Sequence, residues 1–306
     1  MRASVPVRTC DIGGWTDTWF GGPGRVLNIA VSPGIEVTVE RAGGPPPGDR
    51  DRLVQAALDE YPTGMEVDVR VSSGVPAGSA LGTSSAVAVA LIGALTALRG
   101  DTSTADDTAR AAHRLETEVL GEECGLQDQI AAAHGGISYI QVDSYPEAVV
   151  ESLPHWAALD DLLSTVYLGR PHVSSQMHRQ IIERGDRGAL DAMRAAAVSA
   201  REAVLAGDLH ALAEAVRVNA QAQQHLHPDI VGPDAVEAID LARSSGALAW
   251  KVNGAGGDGG SLAVVHESPA ARAVFEDTVQ NATRWLVLPL RFSARGLAVE
   301  LNPARS

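Results

Sequence analysis

The sequence predicts a mixed helix-and-strand protein of two domains. Three observations carry that expectation. The chain has 306 residues, more than one domain usually holds. Its first half reads as short β runs and helices around glycine loops, whereas residues 173–244 read as successive helices. Hydrophobic residues make up 45% and charged residues 20%, the balance of a chain that buries a core. The change of character falls near residues 151–156, which gives expected domains 1–155 and 156–306.

Taken in order, residues 26–40 read as two β runs broken by the turn pair Pro33-Gly34. Residues 43–48 (GGPPPG) form a loop and 51–60 a helix. Residues 65–71 (MEVDVRV) alternate as a half-buried strand does. A Gly/Ser loop over 72–82 opens an Ala/Val/Leu helix that runs to Leu98. Residues 104–120 have helical spacing and 135–142 read as a strand. Helices follow over 173–184, 188–206 and 209–224, separated by Gly-Asp pairs at 185–186 and 207–208, and another over 234–244. Residues 248–253 and 261–265 are strand-like, and 286–292 with 296–301 suit a closing pair of strands.

Composition excludes several functions. Net charge is −14, with 38 acidic against 24 basic residues and no basic run, so neither nucleic acid nor an anionic membrane is an expected partner. Lys251 is the only lysine. Two cysteines, Cys10 and Cys124, make no disulfide framework or zinc site and fit a reducing cytoplasm. No apolar signal core opens the chain, and the continuously apolar stretch 86–98 is too short to span a bilayer. His225 and His227 lack a third metal ligand nearby in sequence. With aromatics at 4%, the core has to be aliphatic.

Three glycine-rich segments and one acidic segment hold the functional information. In Pro76-Ala-Gly78-Ser79-Ala80-Leu-Gly82-Thr83-Ser84-Ser85, small residues let backbone N–H groups close around an anion, and the helix that follows adds its N-terminal dipole. The hydroxyls of Thr83, Ser84 and Ser85 suit phosphate or magnesium; a turn ahead of a buried helix would look the same. No Gly-Lys-Ser/Thr is present, so this is no Walker A loop. The segment Lys251-Val-Asn-Gly254-Ala-Gly256-Gly257-Asp258-Gly259-Gly260 contains G-x-G-x-x-G, but a β run follows it where a dinucleotide fingerprint requires a helix. In Arg8-Thr-Cys-Asp-Ile-Gly13-Gly14-Trp15-Thr16-Asp17, an acid and an arginine flank two glycines, a pattern for sugar hydroxyls, a tuned carboxylate or a surface ion pair. Glu116 lies late on a helix and Asp128 beyond a glycine turn. Glu116 with Ser84 would supply the few hard oxygen ligands that magnesium takes besides phosphate oxygens.

In this order, the four segments from Arg8 to about Val265 resemble the GHMP small-molecule kinases. The resemblance implies a two-domain α+β fold with ATP and acceptor meeting in the interdomain cleft. It implies that the loop from Pro76 to Ser85 wraps the triphosphate, and that Gly254, Gly256 and Gly257 help shape the nucleotide site. Ser84 and Glu116 match the magnesium positions, Asp128 the catalytic aspartate, and Arg8 the arginine held beside it. Within the family the sugar 1-kinases are most similar. Gly14-Trp15-Thr16-Asp17 looks like the sugar-binding signature of L-fucokinases, and Gln127-Asp128-Gln129 is shared with the D-glycero-D-manno-heptose 7-phosphate 1-kinases. The stretch Tyr167–Ser175 resembles a heptose-kinase segment, with His172 where that segment has arginine.

The resemblance thus implies a cytoplasmic, ATP- and Mg2+-dependent kinase of an anomeric hydroxyl, most like a heptose 7-phosphate 1-kinase, acting on a small sugar or sugar phosphate. A homodimer is compatible with it. The alternatives are a kinase of an unphosphorylated sugar, a kinase of a non-sugar alcohol such as mevalonate or homoserine, and a catalytically silent ligand sensor. Three departures stand out. Ala80 replaces a glycine and is expected at negative φ. Asp258 sits in a glycine loop and is expected to point outward. His172 replaces an arginine.

Overall fold

The structure, a computed structural model, describes residues 1–43, 50–171 and 175–301. The fold is α+β, 43% helical and 26% strand. Strand β1 (Arg2–Ile12) and the long β2 (Gly24–Arg41) pair antiparallel at the centre of the first sheet. Helix α1 (Arg52–Glu60) and strand β3 (Val67–Ser73) follow, then the buried helix α2 (Thr83–Leu98). Next come α3 (Ala105–Arg114), a π-helical turn (Leu115–Val119), α4 (Gln127–His134), β4 (Ile137–Ser144) and β5 (Glu147–Leu153). The short helix α5 (Leu159–Leu162) leads into β6 (Leu163–Tyr167), the first strand of the second sheet. Helices α6 (Ser175–Arg184), α7 (Arg187–Ala206), α8 (Leu209–Leu226) and α9 (Pro233–Ser244) precede β7 (Ala249–Val252) and β8 (Ser261–Val265). Helix α10 (Pro269–Ala282) and three short strands, β9 (Leu286–Val287), β10 (Arg291–Phe292) and β11 (Ala298–Glu300), end the described chain.

The first sheet runs β11-β1-β2-β4-β5, with β3 and β10 also pairing with β2, and the second runs β7-β8-β6-β9. The chain therefore changes sheet between β5 and β6 and returns to the first sheet after β9. The expected closing pair of strands does not form. β9 joins β6, β10 joins β2 and β11 joins β1, because each short strand fills a different open edge. Nor does Pro33-Gly34 break residues 26–40 into two strands. A side chain at Gly34 would lie 2.1 Å from the Val5 carbonyl, so the pair lets β2 pass close against a register shift in β1. In β3 the expected half-burial holds at Val67, while Val71 is exposed on the sheet margin.

Helices α2 and α4 cover one face of the first sheet, and α7 from the second half covers the other. The packing uses small aliphatic side chains, as the low aromatic content requires: Ala86 to Leu95 on α2, and Ala196, Ala197, Ala200 and Ala203 on α7. Aspartates begin the long helices. The carboxylates of Asp186 and Asp208 accept from Ala189 and Ala211 N–H, so the Gly-Asp breaks are helix starts. Among the described residues no helix is long and apolar enough to cross a membrane, and Cys10 and Cys124 are free thiols.

Candidate active site

The loop from Gly74 to Gly82 turns the chain from β3 into α2 and delivers Thr83, Ser84 and Ser85 to the first turn of that helix. Gly78, Ala80 and Gly82 all take positive φ (+69°, +58° and +74°). Ala80 thus departs from the negative φ expected of it. Its carbonyl accepts from Arg8 Nη1 at 2.6 Å, a partly buried charge-assisted bond that fixes the peptide and offsets the left-handed strain. Gly78, Ala80, Gly82, Thr83, Ser84 and Ser85 line a cavity of about 290 Å³. Pro76 and Ser79 stay off its wall. Ser79 is fully buried, and its carbonyl accepts from Ser261 Oγ, which anchors the loop to β8.

Asp128 lines the same cavity beside Gly82, in the first turn of α4 with its side chain 26% exposed. Arg8 on β1, almost wholly buried, donates from Nε to Asp128 Oδ1 at 2.8 Å and from Nη2 to Oδ2 at 3.4 Å. The start of α4 is held by groups distant in sequence. Asp17 Oδ2 accepts from Leu126 N–H (2.7 Å) and Gln127 N–H (2.9 Å), and Asn28 Nδ2 donates to the Gln127 carbonyl at 3.0 Å. Asp17 is therefore a tertiary helix cap behind the cavity wall, where direct contact with a sugar was expected. Burial pushes its carboxyl up to about 6 against the pull of those amides. Asp17→Ala is expected to lower stability by about 1–2 kcal/mol, as loss of a cap does, and to leave the Michaelis constant for the acceptor unchanged. Initial-rate kinetics beside a melting curve check this, and a selective rise in that constant would return Asp17 to the substrate.

Glu116 sits on the π-helical turn after α3, 4% exposed. It is hydrogen-bonded to Ser85 and Ser84, and Gln129 Nε2 donates to its Oε2 at 2.6 Å. Burial raises its carboxyl from 4.5 to about 7. A carboxylate and a hydroxyl with hard oxygen donors, one of them relieved of its burial penalty by a cation, fit magnesium. Among the described residues no cluster of three or more His, Cys, Asp or Glu side chains could hold a metal ion. Because the folded value lies above the unfolded one, Glu116 favours the fold below pH 4.5, and that contribution is lost as pH rises through 7. The loss is on the order of 3 kcal/mol. Metal-free Glu116→Gln should therefore melt above the wild type at pH 8 and lose that advantage at pH 5. An identical melting difference at both pH values would contradict this burial.

The rest of the wall comes from the other glycine segments. Gly254 (φ +59°) lines the cavity with Ala255, and a side chain on Gly254 would come within 3.1 Å of Arg8 Nη2. Gly256 and Gly257 face away from it: a side chain on Gly256 would strike the Ile230 carbonyl at 2.4 Å, and Gly257 N–H donates to that carbonyl. Asp258 points outward and pairs with Arg170, as expected. Trp15 lines the cavity, but Gly14 and Thr16 do not. Gly14 packs on Asp11 and Gln127, and Thr16 bonds to the Gly13 and Arg25 carbonyls, so both shape the turn that presents Trp15. His172 lies outside the described residues.

Sequence reasoning missed several wall residues. Thr18, Trp19, Phe20 and Ile182 line the cavity with Trp15, and Glu123, Cys124, Gly125 and Gln127 line it with Asp128. Trp19 and Phe20 pack edge to face at 5.3 Å, and Trp15 and Phe20 lie 6.2 Å apart. The cluster Trp15-x3-Trp19-Phe20 in a chain so poor in aromatics was the available signal.

Fold and site together define a two-domain small-molecule kinase. Models of the GHMP kinases N-terminal and C-terminal domains match residues 51–136 and 200–282. The chain belongs to the GHMP kinase family, whose members are ATP-dependent kinases. It is 30% identical over 274 residues to the mevalonate kinase of Methanothermobacter thermautotrophicus, covering 86% of this chain and 83% of that enzyme. It is also 30% identical over 205 residues to the D-glycero-alpha-D-manno-heptose 7-phosphate kinase of Campylobacter jejuni, 64% of this chain and 60% of that one. The crystal structure of a D-glycero-D-manno-heptose 1-phosphate kinase from Bacteroides thetaiotaomicron has the same fold, with a TM-score of 0.78 at 21% identity over 98% and 99% of the two chains.

Proposed function

We propose that this protein is a magnesium- and ATP-dependent sugar kinase acting on the anomeric hydroxyl. The observation that carries the proposal is Asp128, half-open to the cavity at the start of α4, clasped by buried Arg8 and facing the Ser84 loop. Ser84 and Glu116 are the residues that would hold magnesium, which neutralises charge on the phosphoryl oxygens. Backbone N–H groups of the loop and the N-terminus of α2 receive the triphosphate. Arg8 grips both carboxylate oxygens of Asp128 and aims it. The acceptor oxygen bonds to the γ-phosphorus, the bond to the bridging oxygen breaks and leaves with ADP, and the hydroxyl proton passes to Asp128. Positioning and charge stabilisation do most of the work in such a transfer.

The aromatic side formed by Trp15, Trp19 and Phe20 favours a sugar ring, whose C–H face packs on such surfaces while its hydroxyls point away. Between a phosphorylated heptose and a free sugar, the described wall favours the free sugar. Its one cation, Arg8, is committed to Asp128, Asp11 and the Ala80 carbonyl, and Glu123 adds negative charge. The test is ATP consumption over fucose, galactose, mannose, heptose, heptose 7-phosphate, mevalonate and homoserine, with the product identified by phosphorus NMR. A sugar 1-phosphate is expected. Turnover with mevalonate or homoserine alone would overturn the reading, and turnover with heptose 7-phosphate alone would overturn the preference for a free sugar.

A further inference from the structure

We infer that Asp11, which takes no part in the chemistry proposed above, is the positioning residue for Arg8 and through it for Asp128. The inference rests on the kinase reading of the site. Asp11 is 1% exposed, and a single oxygen, Oδ1, serves three partners. It accepts from Lys251 Nζ at 3.1 Å and from Gly254 N–H at 3.0 Å, and it lies 3.5 Å from Arg8 Nη1. The Arg8 guanidinium is thereby gripped along two edges. Asp128 holds Nε and Nη2, while Asp11 and the Ala80 carbonyl hold Nη1.

The charges alternate along one line: Lys251, Asp11, Arg8, Asp128. Lys251 and Asp11 are buried off the cavity, whereas Arg8, itself almost wholly buried, and Asp128 line it. All three glycine segments meet at Asp11, since it belongs to the first, touches the second through Arg8 and Ala80, and bonds the third at Gly254. Lys251 is the only lysine among 24 basic residues, with a side chain 0% exposed. Its compact ammonium fits between Asp11 and the Val252 carbonyl (2.7 Å), where a planar guanidinium would need more room. An ion pair that merely joined β1 to β7 would not need to share its oxygen with a cavity-wall amide and stand beside the guanidinium that aims the proposed base.

The experiment compares Asp11→Asn, Asp11→Asn/Lys251→Met and Asp128→Asn with the wild type. It uses melting curves, exchange of the Arg8 Nε–H proton in arginine-edited NMR spectra (assigned with Arg8→Lys), and turnover of ATP with the acceptor panel. Asp11→Asn alone should melt lower, because the Lys251 ammonium is left buried without its counter-charge. The double variant removes both charges and should recover most of the melting temperature. Its Arg8 Nε–H should nonetheless exchange at least about tenfold faster, because the guanidinium loses the carboxylate that stands 3.5 Å from Nη1 and is held in place by Asp128 and the Ala80 carbonyl alone. Turnover should stay at least about tenfold down with the Michaelis constant for ATP near wild type. Arg8 exchange as slow as wild type in either Asp11 variant that melts cooperatively would overturn the inference. Exchange needs no substrate, so its outcome is independent of the kinase reading. That reading fails separately if Asp128→Asn keeps wild-type turnover.

Discussion

Asp128→Asn is expected to lose turnover by ~10²–10⁴-fold, the usual size of a general acid–base contribution, while still binding ATP and melting near the wild type. Asparagine keeps the shape and can still accept from Arg8 Nε, but it cannot take the hydroxyl proton. The side chain is 26% exposed and shares Arg8 with Asp11, so loss of its charge removes only part of what holds that arginine. A structural ion pair would behave oppositely, with melting temperature falling and chemistry spared. Single-turnover phosphoryl transfer, calorimetry with ATP and a melting curve separate the two. A folded Asp128→Asn protein with near-wild-type transfer would remove Asp128 from the chemistry.

What could be read from the sequence was local. The glycine loop ahead of an Ala/Val helix, the acid at Glu116 and the Gln-Asp-Gln start of α4 are each visible within a dozen residues. Arg8 was tied to Asp128 only by resemblance, since 120 residues separate them. Asp11 was hidden by backbone geometry. In an unbroken strand, residues three apart point to opposite faces. A register shift between Thr9 and Ile12, with Cys10 at φ +53°, brings Asp11 back beside Arg8. Nothing in the residue type of Cys10 signals that bulge. Asp17 misled for a related reason: an acid and an arginine on either side of two glycines suit a sugar, but the amide partners of Asp17 lie 109 and 110 residues away.

The same bulged segment joins the two sheets. Thr9 Oγ1 bonds Thr165 Oγ1 at 2.9 Å, Cys10 N–H donates to Asn253 Oδ1 at 2.9 Å, and Gly13 N–H donates to Asn219 Oδ1 at 2.8 Å. With Asp11 to Lys251, the end of β1 is tied to the second half of the chain almost residue by residue. The Arg8–Asp128 pair therefore stands on a seam with little freedom to shift, which is the preorganisation that electrostatic catalysis requires.

That rigidity makes Gly82→Ala the second substitution with a large expected effect. Gly82 occupies the position before α2 at φ +74°, where an L-residue costs about 1–2 kcal/mol. Strain is the smaller part. A side chain there would sit 3.0 Å from Asp128 Cγ and 3.2 Å from its Cβ and Oδ2. Helix α4 cannot yield, because Asp17 and Asn28 fix its first turn, so the carboxylate has to swing off Arg8 or α2 has to retreat with Ser84 and Ser85. Either movement separates the groups that must meet, and a misplacement of about 1 Å costs roughly 10²-fold in rate. Gly100→Ala is the matched control. It has φ +80° and nothing within 4 Å of an added side chain, so it carries the strain without the collision. Both variants should lose similar melting temperature, and only Gly82→Ala should lose turnover. Equal activity in the two would mean that the approach of Gly82 to Asp128 has no part in the reaction.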